Sequence, residues 1–116
     1  MRFSVLPLCF LLAACSSSRD NPVQPAPVAA PDLLQIAASL KAAAASEKLQ
    51  PPLETSQPIR ANPISSTPWI VCIRSGATEE SKKRIYSAFY KANDYVSIRP
   101  SAIVDHCEEQ SFTALN

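Results

Sequence analysis

Four cysteines and one histidine are the most reactive side chains in this 116-residue sequence. Asp105, His106 and Cys107 are consecutive and have the residue types of a nucleophile relay. A relay needs side chains that converge from separate elements. Consecutive residues instead point to opposite faces of a strand, or about 100° apart around a helix. No catalytic residue is therefore assigned. One histidine and the available cysteines fall short of a zinc tetrahedron, and no Cys-x-x-Cys spacing exists, so no metal site is assigned. A single glycine leaves no glycine-rich loop to cradle a phosphate. Glu79-Glu80 and Glu108-Glu109 are neighbours in sequence only and read as solvated carboxylates, not as a glycosidase pair. What is left is chemistry done to a cysteine. Cys15 ends an apolar run through Leu12, Ala13 and Ala14, and three serines follow it. Small residues fit a peptidase cleft, and the thiol can accept a thioether-linked lipid.

Residues 1–14 have the form of a targeting segment: Arg2 beside the amino terminus, an apolar stretch over 3–12, then two alanines. The apolar stretch is well short of the roughly 20 residues needed to span a bilayer, and Pro7 interrupts it. The quartet Leu12-Ala13-Ala14-Cys15 resembles the lipobox of bacterial lipoprotein precursors. The resemblance implies cleavage between Ala14 and Cys15, a diacylglyceryl thioether on Cys15, and a palmitate-type acyl group on the new amino terminus. No cofactor beyond this covalent lipid is expected. Two or more acyl chains hold a protein to a membrane stably, where one holds it only reversibly. Ser16, not aspartate, follows the cysteine. By resemblance to lipoprotein sorting in double-membrane bacteria, this implies the outer membrane, with the chain facing the periplasm.

Export also sorts the thiols. Cys9 leaves with the signal and Cys15 carries lipid, so Cys72 and Cys107 remain in an oxidising compartment, where they are expected to pair. A bridge across 35 positions is worth about 3.5–4 kcal/mol on the loop-entropy model.

Several elements must position these residues. Most of the 11 prolines precede Trp69, and residues 15–31 and 50–68 are polar and proline-spaced, so both read as extended linkers. Between them, Asp32 with Gln35 forms a capping-box pattern, and Leu33, Ile36 and Leu40 share a face of a predicted helix over 33–48. Residues 32–49 thus read as an amphipathic, alanine-rich helix, either an isolated spacer or one whose narrow stripe docks on the domain, on another copy or on a partner. The folded domain is assigned to residues 69–116. The run 69–74 is β-branched and aromatic, with Trp69, Val71 and Ile73 on one face and Ile70 and Cys72 on the other. Residues 84–91 and 95–99 read as two further strands about an Asn93-Asp94 turn; residues 101–109 fit a short helix or an edge strand, the helical turn being favoured because it returns Cys107 to Cys72. The expected fold class is small α+β: a short antiparallel three-stranded β-meander with a C-terminal helical turn and one disulfide, preceded by an isolated helix. Most of the aromatic side chains are expected in its core.

The residues Trp69, Val71, Cys72, Arg74, Arg99, Ile103, Asp105, Cys107, Phe112 and Leu115 form a pattern that resembles small uncharacterised alphaproteobacterial lipoproteins, a resemblance that implies no activity. Charge excludes some partners. Of 11 basic side chains Arg2 leaves with the signal, so ten basic and ten acidic groups remain in balance. There is no basic stripe for nucleic acid. No small-molecule substrate is expected. The expected function is a non-catalytic envelope lipoprotein that presents a small interaction domain to a protein or cell-wall partner. The alternative is a lipid-anchored inhibitor or accessory of a periplasmic enzyme. For that role the hairpin residues Tyr90, Asn93, Asp94 and Tyr95 form the candidate interaction surface.

Overall fold

A computed structural model describes residues 27–116 of the chain. Its element order is α1 (Leu33–Ser46), β1 (Leu53–Thr55), β2 (Ile59–Arg60), β3 (Trp69–Ser75), β4 (Tyr86–Lys91), β5 (Asp94–Pro100) and β6 (Thr113–Ala114). Short 3-10 turns lie at Ser81–Lys83, Ile103–Asp105 and Cys107–Glu109. The chain is a small α+β fold: one helix against an antiparallel sheet in the order β5-β4-β3-β1-β6, with β2 also paired to β3.

The central strand explains the sheet. Residues 70–73 of β3 are all fully buried, because both faces of the sheet are covered there. On one face Val71 and Ile73 join Ala88 and Tyr90 of β4 against Ile36, Leu40 and Ala44 of α1. On the other, Ile70 and Cys72 pack with Phe89 and Cys107. A strand covered on both sides has no polar alternation, which is why residues 69–73 read as a continuous apolar run.

The sheet has six strands where three were expected. Both additional strands on the β3 edge come from the proline-spaced stretch. β1 pairs with the second half of β3 (Leu53 opposite Ser75) and β2 with the first half (Ile59 opposite Ile70). They lie end to end with a break between them. At the break the backbone N–H of Ser56 donates to the Cys72 carbonyl (2.9 Å), while the Ser56 hydroxyl accepts from the Cys72 N–H (3.0 Å). One buried serine thus meets the hydrogen-bonding needs of β3 where the ladder slips.

The helix is also not isolated. Ile36, Leu40 and Ala44 are buried against the sheet, and the Tyr90 hydroxyl meets Ser39 Oγ at 2.6 Å. Asp32 caps the helix by accepting the N–H of Leu34 (2.9 Å). The reciprocal bond comes from elsewhere, since the Asp32 N–H donates to the side chain of Asn93 in the β4–β5 turn (2.8 Å). The segment before the helix is attached as well. Trp69 Nε1 donates to the Val28 carbonyl (2.8 Å), the Arg60 guanidinium lies over the Trp69 ring, and Pro31 is buried.

The helix ends in a Schellman-type closure. Leu49 N–H reaches the Ala44 carbonyl (2.9 Å) and Lys48 N–H the Ala45 carbonyl (3.0 Å), with Lys48 at φ 62°. Glycine is favoured at that left-handed position and a lysine Cβ is strained there. Lys48→Gly is therefore expected to raise the urea midpoint by the equivalent of about 0.5–1 kcal/mol. A midpoint that falls would contradict the strain argument.

Candidate functional site

Cys72 and Cys107 are disulfide-bonded, and both are fully buried on the sheet face away from α1. The two 3-10 turns of residues 101–109 bring this about, with His106 between them in a left-handed conformation (φ 60°). The turns are held by Asp105, which is 3% exposed. Its carboxylate accepts from Arg99 Nη1 (2.7 Å) and Nη2 (3.1 Å), from Ser87 Oγ (2.8 Å) and from the N–H of Ala102 (2.9 Å). The Arg99 guanidinium in turn lies 4.8 Å from the centre of the Phe89 ring. Each donor has a reason to be there. Arg99 pairs with Ser87 across β4 and β5, so both project from the same face, and the short turn folds Asp105 back over them.

Burial by itself raises the Asp105 pKa. The bonds from Arg99, Ala102 and Ser87 and the charge of Arg99 outweigh it, and the carboxyl lies below the ordinary aspartate range. A folded pKa below the unfolded one means that this carboxylate stabilises the fold above the ordinary value of about 3.9. The contribution is lost as pH falls through the lower folded pKa. Thermal melts should accordingly show little dependence on Asp105 between about pH 5 and 7 and a falling midpoint below about pH 4. Asp105→Asn should flatten that acid limb, and an unchanged limb in the variant would contradict the assignment.

Beside this cluster is a cleft of about 370 Å3, lined by the 62–67 loop, Phe89, Ser97, Arg99 and Val104. Its walls mix hydroxyls and an amide with the apolar side chains of Ile64, Phe89 and Val104. Its one cation, Arg99, is already paired with Asp105, so the cleft presents no strong net charge. No nucleophile and base converge there.

The hairpin residues of the expected interaction surface separate in the structure. Tyr90 is fully buried against α1, and burial raises its pKa despite the Ser39 bond, so it is unavailable to a partner. Asn93 is exposed but its side chain holds Asp32. Asp94 and Tyr95 are exposed, and the Tyr95 ring stands edge-on to Tyr90 at 5.8 Å. Ala14 and Cys15, the cleavage and acylation residues, lie outside the described residues.

His106 and Asp105 do not act together: His106 Nδ1 faces Glu109 Oε2 at 3.1 Å, whereas Asp105 faces inward to Arg99. Among the described residues, no group of three or more His, Cys, Asp or Glu converges as a metal cage, and no helix is long and apolar enough to cross a membrane. Sequence reasoning missed the structural role of Ser87 and Ser56, which carry no distinguishing local pattern. No protein-family model, curated protein or solved structure matches this chain.

Proposed function

We propose that the chain is a non-catalytic lipoprotein of the bacterial envelope. In this reading Cys15 becomes the acylated amino terminus and residues 27–116 form a disulfide-bonded domain displayed in the periplasm, with the outer membrane as its site. The observation that carries the proposal is the quartet Leu12-Ala13-Ala14-Cys15 at the end of a short, positively led apolar segment. A fully buried disulfide in a small domain supports it, because such bonds persist in oxidising compartments. The domain holds Val28 through Trp69, and the 12 residues 16–27 separate that point from Cys15. Fully extended, 12 residues span at most roughly 40 Å. The display function needs no active site, and the domain's role is to meet a protein or wall component.

Fractionation of cells carrying Cys15→Ser tests this. The wild-type protein is expected in the membrane pellet and released only by detergent. The variant is expected uncleaved or soluble. If the variant is processed to the same mature length as the wild type and both resist salt extraction and dissolve in detergent alike, the anchor reading fails.

A further inference from the structure

Among the described residues six large apolar side chains are exposed; Ile64, Ile103 and Val104 are three of them, and the other three gather at the end of the sheet where Val28 is held. Val28 is hydrogen-bonded to Trp69, at the start of β3. Trp69 pairs with Tyr90, and Tyr90 with Tyr95, so the same end holds the β4–β5 hairpin. The Asp32–Asn93 bond brings the first turn of α1 to that hairpin. Leu34 lies two residues past Asp32 and is 89% exposed. Tyr95 lies two residues past Asn93 and is 40% exposed, and Val96 beside it is 50% exposed. Val96 is moreover the extra residue of a bulge in β5: Tyr90 pairs with Tyr95 and Phe89 with Ser97, leaving it without a partner in β4. A bulge re-aims a side chain out of the regular pleat.

Charge points to the kind of surface this end can meet. Arg60 and Lys91 are matched there by Asp32 and Asp94, all four exposed, so a charged partner gains little. An apolar patch with a tyrosine and a rim of balanced charges matches the membrane–water interface, where tyrosine rings place their apolar body inward and their hydroxyl in the headgroups.

We propose that this end of the domain, through Leu34, Tyr95 and Val96, rests on the surface of the lipid bilayer. The inference rests on the acylation of Cys15 proposed above, since the 12-residue spacer is what keeps the patch near the membrane. Twelve residues reach at most about 40 Å even when fully extended, so docking becomes an intramolecular event at high effective concentration. The opposite end of the sheet, with Gly76 and the 3-10 turn at Ser81–Lys83, then faces away from the membrane and is open to partners.

Trp69, the single tryptophan, reports on this directly. It lies two strands from Tyr95, about 10 Å away at ordinary strand spacing. The full-length acylated protein is reconstituted into phosphatidylcholine vesicles with and without lipids brominated near the head of the acyl chain. The expected result is loss of Trp69 emission in the brominated vesicles and its recovery in Leu34→Asp/Val96→Thr, which still floats with the vesicles. The variant should fold, because an acid suits the first turn of a helix and threonine keeps a β-branched side chain in the strand. Full emission from floating wild-type protein overturns the proposal, as does quenching unchanged in the double variant. Unquenched Trp69 together with crosslinked dimers lost in the double variant assigns the patch to a second copy and equally overturns it. Protein that does not float at all refutes the anchor itself, a result distinct from these.

Discussion

Replacing Cys72 and Cys107 together by alanine is expected to cost about 4 kcal/mol of stability, one of the largest losses of any change in the domain. Linking residues 35 positions apart removes unfolded-chain entropy worth about 3.8 kcal/mol at 25 °C. Both sulfurs are also fully buried between Ile70, Phe89 and the Asp105 turn, so their loss leaves a packing defect as well. Small domains are stable by only about 5–15 kcal/mol in total. Urea titration of the two forms measures the difference directly. A loss below about 1 kcal/mol would mean that the C-terminal turns hold their place without the bridge. Replacing only one cysteine is a poorer test, because it also leaves a free thiol.

Leu40→Ala is expected to cost about 3–5 kcal/mol, the range for a fully buried leucine whose cavity cannot collapse. Leu40 sits between Ile36 and Ala44 on the buried face of α1 and packs on β3 and β4. The consequence extends beyond stability. If the helix is integral to the core, helix content by circular dichroism and Trp69 fluorescence should be lost in one coincident transition, in wild type and variant alike. A helix that melts separately, or a Leu40→Ala cost under about 1 kcal/mol, would restore the picture of a spacer helix beside an independent domain.

The parts of the fold visible in the sequence are mostly those whose signals are local. The β3 run and the Asp32 cap follow from residue type and position within a few neighbours, and the Cys72–Cys107 pair from the count of cysteines left after the signal and the lipid site. β1 and β2 were hidden because strands of three and two residues show no period, and prolines at 51, 52, 58, 63 and 68 surround them. They exist because β3 needs a partner on that edge, which is a fact about β3. The docking of α1 was hidden for the same kind of reason. A stripe of Ile36, Leu40 and small alanines is too narrow to announce burial, yet alanines let the helix approach the sheet closely. At the candidate site, Asp105 looked like part of a chemical triplet. Its real partners, Ser87 and Arg99, come from the two hairpin strands, and only the register of β4 on β5 brings them together. Tyr90 misled in the opposite direction: its position near a turn marked it as surface, while the pairing opposite Trp69 turned it into the core.

The central claim concerns a residue outside the described structure, and its most direct test is the intact mass of the mature protein. After expression in a Gram-negative bacterium and extraction in detergent, the chain is expected to begin at Cys15. Its mass should equal residues 15–116 with one disulfide plus a diacylglyceryl group and an amide-linked acyl chain, and fragmentation should place the added mass on Cys15. A mature chain that starts elsewhere, or that starts at Cys15 with an unmodified thiol, would contradict the account.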